Sequence, residues 1–263
     1  VEVWQAQILE NAEMNLSQRL LYDIKGKKVT DYFPNGVDNE APEFSEIVVS
    51  TSSMSLDEMV ESYKLSWFLI TWHTGGFSQY IARFVRKYFG LSFQQFYTDF
   101  RKFLQNDYFW IEQEKNMTEI IKDWYSNGKE IITDLGPVTV SASTNQYRTL
   151  FKIHLEEYYE KMYYMIEEFL FKFEIPSEIY RDLTKLNKCV VAKQRDIKNY
   201  EINLNYNILQ YILDESADLC ETDNKVSVIY PHDPVRSKDM AWFLESLFFA
   251  RRRSYGKNYL KVI

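Results

Sequence analysis

Eight glycines and six prolines in 263 residues leave the chain few places to turn sharply. Average usage would supply these two residues at about 12%. A sandwich of many short strands needs Gly- and Pro-rich turns at short intervals, and long helices do not. An apolar fraction of 46% beside 26% charge is enough for a packed core and excludes a disordered chain. The length lies at the upper edge of what one core holds, so one or two domains are expected. The expected fold is therefore mainly α: a helical bundle-like domain with a few short strands, α+β only in its minor part.

The chain order suggests three stretches. Residues 1–52 read as a loop-rich, strand-containing segment, with strands at Val1 to Leu9 and Glu46 to Thr51. Residues 53–198 read as the helical domain, and 199–263 as a mixed α/β segment packed on it. Ser55-Leu56-Asp57-Glu58 is a capping box that opens a helix running to about His73, where Gly75-Gly76 breaks it. Phe77, Tyr80, Ile81, Phe84, Val85 and Tyr88 form one helical apolar stripe, with Arg83, Arg86 and Lys87 near its outer side. Ser92 and Gln95 open another helix through Phe103, and Tyr108 to Tyr125 reads as a third. Further helices are predicted over 145–173, from Pro176 to about Ala192, and over 237–250. Strands are predicted at Tyr200 to Leu204, Val226 to Tyr230 and Asn258 to Ile263.

Charge and cysteine set the function classes aside one by one. A net charge of −7 argues against a general nucleic-acid binder. Two cysteines, Cys189 and Cys220, are too few for a disulfide framework or a cysteine-ligated metal centre, and free thiols in a reducing compartment are expected. No apolar run approaches the ~20 residues that span a bilayer, and no basic-then-apolar leader is seen. A cytoplasmic protein without a membrane partner is the expectation. The chain opens at Val1, which leaves processing or excision from a longer protein open.

No catalytic motif and no metal-ligand spacing emerges. His73 sits in Trp72-His73-Thr74-Gly75-Gly76 at a helix end, where the helix dipole favours an imidazolium. Trp72, His73, Tyr80 and Arg83 are the first candidate binding set, and Trp72, His73 and Arg83 on one face would form an exposed aromatic cleft. His232, beside Asp233 in a turn-rich loop, is the second candidate, for a stand-alone enzyme working through a His/carboxylate pair. Arg251, Arg252 and Arg253 are the third: adjacent arginines cannot all face one way, so some should meet an anionic partner. The aromatic runs around Tyr158-Tyr159, Tyr163-Tyr164 and Phe169 to Phe173 lie on an acidic helix, which favours packing over base stacking.

Several segments carry a family resemblance. They are Glu46-Ile-Val-Val-Ser-Thr-Ser-Ser-Met54-Ser55, Tyr63-Lys-Leu-Ser-Trp67, His73-Thr-Gly-Gly-Phe-Ser-Gln-Tyr80-Ile81-Ala82-Arg83-Phe84 and Tyr88-Phe-Gly90-Leu-Ser92-Phe93-Gln-Gln-Phe96-Tyr97. Together they resemble the region after the barrel in cobalamin (B12)-binding-domain radical SAM proteins. Trp4 to Met14 is similar to the end of that family's barrel, and Arg251-Arg252 to its C-terminus. The resemblance covers most of the chain loosely and residues 46–104 best. It implies a C-terminal fragment or stand-alone relative: a non-catalytic accessory region that caps a radical SAM core, upstream or in trans, and shapes access for substrate or partner. The family's cluster needs a CxxxCxxC run, which two cysteines 31 residues apart do not supply. S-adenosylmethionine, a [4Fe-4S] cluster and cobalamin are implied only for a full-length relative, and this chain is expected to hold no cofactor and to have no activity alone.

Overall fold

The apolar stripes of the sequence become helices because each buries one face, and Ser55 and Ser92 cap two of the starts. A computed structural model describes residues 6–9, 12–30, 44–128, 133–134, 139–140, 148–149, 152, 158–191, 199–229 and 259–263. In chain order the described elements are α1 (Ser17–Leu21), β1 (Lys25–Thr30), β2 (Phe44–Ser50), α2 (Leu56–Leu69), a π-helical turn (Ile70–Thr74), α3 (Gln79–Phe89), α4 (Phe93–Leu104) and α5 (Tyr108–Asn127). There follow β3 (Thr133–Asp134), β4 (Thr139–Val140), α6 (Tyr159–Leu170) with a 3-10 turn (Phe171–Phe173), α7 (Ser177–Lys188), β5 (Tyr200–Tyr206), α8 (Ile208–Leu213), β6 (Glu221–Ile229) and β7 (Tyr259–Val262). The described chain is thus mainly α with a minor β part, as expected. Among the described residues no helix is long and apolar enough to cross a membrane.

The chain divides into two compact units, each discontinuous in sequence: Val1–Ile70 with Ile111–Thr149, and Thr71–Trp110 with Leu150–Ile263. In unit 1, β1 pairs antiparallel with β2, from Gly26 opposite Val48 to Thr30 opposite Phe44. Arg19 grips the Glu46 carboxylate with two N–H groups, at 2.6 and 3.1 Å. The Glu46 side chain lies so close over Gly26 that a Cβ there would meet its Oε1 at 2.1 Å, which is why β1 carries a glycine in mid-strand. Lys64, almost fully buried, sits between Glu61 (2.7 Å) and Glu114 (3.3 Å). The pairing solves the burial of its charge.

The predicted box at Ser55 is complete. Ser55 Oγ accepts from the Glu58 N–H, and Glu58 Oε2 accepts from the Ser55 N–H at 2.7 Å. The Ser55 N–H, and after it the Ser55 O–H at 2.8 Å, donate to Glu58 Oε2 and hold its carboxyl below its ordinary range. A depressed carboxylate stabilises the fold above its unfolded value and ceases to do so as pH falls through its folded value. The destabilisation caused by Glu58→Gln should therefore be larger at pH 7 than at pH 3. Equal losses of melting temperature at the two pH values would contradict this reading of the cap.

Unit 2 holds the three-stranded antiparallel sheet β5-β6-β7, with β6 in the centre. Ile202 and Leu204 of β5 and Val226 and Val228 of β6 are buried on one face, while Glu201, Asn203 and Lys225 point outward. This is the period-2 pattern expected of a half-buried sheet. Asp182 of α7, 2% exposed, accepts from the backbone N–H groups of Asn205 (2.5 Å) and Tyr206 (2.9 Å), where the β5–β6 register shifts. Asp182→Ala would remove the acceptor of both part-buried N–H groups and leave a void at a buried position. It should destabilise the protein by about 3 kcal/mol, read from the denaturant midpoint, with Asp182→Asn milder because one acceptor oxygen remains. A loss below about 0.5 kcal/mol would show that the two N–H groups find other partners.

The rest of the unit 2 core is aromatic. Trp72 packs edge-on against Phe100 (4.6 Å between ring centroids) and tilted against Trp110 (5.5 Å). Phe100 meets Phe169 at 4.8 Å, and Phe77 meets Tyr163 at 4.9 Å. The tyrosine and phenylalanine runs of α6 accordingly divide: Tyr159, Tyr163 and Phe169 are buried, whereas Tyr164 and Phe171 are exposed. The predicted helix over 237–250 lies outside the described residues, as does most of 145–157.

Candidate functional site

α3 carries three cations on one face and no carboxylate. Arg83, Arg86 and Lys87 stand at i, i+3 and i+4 in the helix Gln79–Phe89, whose sequence contains no Asp or Glu. Like charges at this spacing repel, so each needs compensation from elsewhere or a reason to stay. The opposite face of the helix, with Ile81, Phe84 and Val85 fully buried, holds α3 in place. Gly90, left-handed at φ +70, ends it.

These cations line a cleft of about 580 Å³ within unit 2. Its walls include His73 from the π turn, Phe93 from the start of α4, and Ile212 and Leu213 from the end of α8. Glu215, just beyond α8, lies at its edge. The volume falls in the range of small-molecule sites, and the lining combines apolar wall with convergent polar groups.

The three cations have different fates. Lys87 Nζ donates to the carbonyl oxygens of Tyr211 (3.0 Å), Asp214 (2.8 Å) and Ala217 (2.5 Å), which matches its three N–H groups to three acceptors. It also lies over the Tyr211 ring at 4.0 Å. Lys87 is thus a clip that holds the end of α8 against α3. Arg86 faces the Glu215 carboxylate at 3.7 Å and the Phe93 ring at 5.2 Å, both contacts open to solvent and individually weak. Arg83 is half-buried and has no carboxylate or hydrogen-bond partner among the described residues. Its charge is felt by the phenols of Tyr80 and Tyr97, where it opposes the upward push of burial.

His73 is held by a hydrogen-bond relay. Its Nδ1 lies 2.7 Å from Tyr97 Oη, which lies 3.2 Å from Ser78 Oγ, which donates to the Trp72 carbonyl at 3.1 Å. Ser78 has one O–H and gives it to that carbonyl, so the Tyr97 hydroxyl donates to Ser78 and accepts from His73 Nδ1–H. Burial drives the Tyr97 phenol well above its ordinary value, so this hydroxyl keeps its proton. The relay holds the His73 ring in place through Nδ1. Gly76, at φ +97, makes the turn that brings Ser78 back to the π turn, with the Gly76 N–H bonded to the His73 carbonyl.

Of the residues singled out in sequence, His73 and Arg83 line the cleft together. Tyr80 is half-buried near Arg83 without being part of the lining. Trp72 corrects the expectation of an exposed aromatic cleft: it is 0% exposed and belongs to the core. The reason is spacing, since Val60, Lys64, Phe68 and Trp72 recur every four residues on the buried side of one continuous helical stretch. His232, Arg251, Arg252 and Arg253 lie outside the described residues. Both cysteines are free thiols, Cys189 buried and Cys220 exposed. Among the described residues no group of three or more His, Cys, Asp or Glu side chains is placed to hold a metal ion. Arg86, Phe93, Tyr97 and Glu215 are the site residues that sequence reasoning missed. In the sequence, Arg83, Arg86 and Lys87 stand near the outer side of the α3 stripe, and of the three only Arg83 is a binding candidate there.

No protein-family model matches the chain, and a search of curated proteins finds no match. The radical SAM resemblance therefore rests on the quoted segments alone.

Proposed function

We propose that unit 2 is a binding module for a small anionic ligand, held in the cleft of His73, Arg83 and Arg86. The observation that carries this reading is Arg83: a half-buried guanidinium in a cleft, with no carboxylate partner among the described residues. Partly desolvated guanidinium groups are normally paired, because an unpaired charge away from water is costly. An anionic ligand supplies the missing partner, and the fork of N–H groups suits the oxygens of a carboxylate or phosphate. Phe93, Ile212 and Leu213 give the same cleft an apolar wall for the body of the ligand. The bundle-like helical scaffold expected from the sequence is part of this proposal, as the support that fixes α3 and α4.

The accessory role implied by the radical SAM resemblance is proposed on the sequence segments alone. Beside such a core, the module would shape access for an anionic substrate or partner. The test of the module needs no partner. Calorimetric titration of the full chain with small carboxylates and phosphate esters should give saturable binding that weakens with salt, as charge pairing requires. No saturable binding of any of these anions would overturn the reading.

A further inference from the structure

Resting on the anion-cleft reading, we infer that the ligand is a monocarboxylate with an apolar body, and that Glu215 is the residue that turns phosphate esters away. The three cations of the cleft do not offer equal hydrogen-bonding capacity. Lys87 has three carbonyl acceptors for its three N–H groups. Arg86 is compensated by Glu215 and covers the Phe93 ring. Among the described residues, Arg83 alone of the three presents an uncommitted fork. One guanidinium satisfies the two oxygens of a carboxylate in a bidentate pair. A phosphate monoester dianion brings three charged oxygens, so part of its charge would enter the cleft without donors.

Glu215 sharpens the difference. Its carboxylate is at the edge of the same cleft, on a side chain that is 83% exposed and that, among the described residues, is tethered only by the 3.7 Å approach to Arg86. The next turn is fixed independently, by the Ser216 N–H and O–H on Asp214 Oδ1 and by the Lys87 clip. A carboxylate at the rim lowers the cleft's attraction for a dianion about twice as much as for a monoanion, and elements of this kind set specificity more than affinity. The apolar wall of Phe93, Ile212 and Leu213 asks for an aromatic or aliphatic body next to the head group.

The test uses two probes that share one body, phenylacetate and phenyl phosphate, titrated into the full chain at pH 8, where the phosphate is a dianion. Phenylacetate should bind about tenfold or more tighter, and Glu215→Gln should narrow the gap by roughly tenfold, mainly by strengthening phenyl phosphate. Glu215→Gln changes an exposed side chain, and an unchanged melting temperature verifies its fold. Tighter binding of phenyl phosphate to the unaltered protein, or a gap that Glu215→Gln leaves unchanged, would overturn this inference while leaving the anion cleft standing. If neither probe binds, the cleft reading falls and takes the inference with it.

Discussion

Trp72→Ala is expected to destabilise unit 2 by about 3–5 kcal/mol, the range for removing a buried aromatic from a close-packed core. The indole is fully enclosed and meets the rings of Phe77, Phe100 and Trp110 in edge or tilted arrangements. Such arrangements add to area burial. Phe100 in turn packs on Phe96, Phe103 and Phe169, so a cavity at Trp72 removes support from the centre of the aromatic cluster. The Trp72 Nε1–H is buried without an acceptor among the described residues, which costs the folded state something. Trp72→Phe removes that donor along with part of the ring, so its loss should be clearly smaller than that of Trp72→Ala. Denaturant unfolding of both variants measures this. A loss below about 1 kcal/mol for Trp72→Ala would place the indole at the surface after all and restore the exposed aromatic cleft.

Arg83→Ala is expected to leave the fold intact and to weaken anion binding by about ten- to a hundredfold. A hydrogen bond to a charged group contributes about 1.5–3 kcal/mol, and each 1.4 kcal/mol is a factor of ten in affinity. The residue forms no ion pair among the described residues, so its removal leaves no buried carboxylate unpaired. Loss of repulsion with Lys87 at i+4 offsets part of the lost packing of its stem. Arg83→Lys keeps the charge and loses the planar fork, and it should recover only part of the affinity. Equal affinity in Arg83→Ala and the unaltered protein would remove Arg83 from the site.

How much of this was legible in the sequence differs from element to element. The stripe from Phe77 to Tyr88 gave α3 and its buried face, because a 3.6-residue period between a turn and Gly90 admits few other structures. Ser92 does cap α4 through the Gln95 N–H at 3.2 Å, the capping bond that the motif leads one to expect. Trp72 is legible too, through the four-residue spacing from Val60. The short α1 and β1 carry no periodic apolar face: Leu20 and Leu21 are exposed, and β1 is Lys- and Gly-rich. α8 is six residues long and has no side-chain cap, and the Asn207 side chain before it accepts from Cys220 N–H and donates to the Asp218 carbonyl across the loop. The cleft itself depends on Lys87 reaching residues more than 120 positions away, and no local pattern encodes such a meeting.

The central claim is that Arg83 pairs with the ligand. The Nε–Hε resonance of each arginine side chain can be followed by NMR through a titration with phenylacetate, with Arg83→Ala giving the assignment. The account predicts that the Arg83 resonance shifts and saturates with the same Kd that calorimetry reports for the full chain. Saturable binding that leaves the Arg83 resonance unmoved would contradict it.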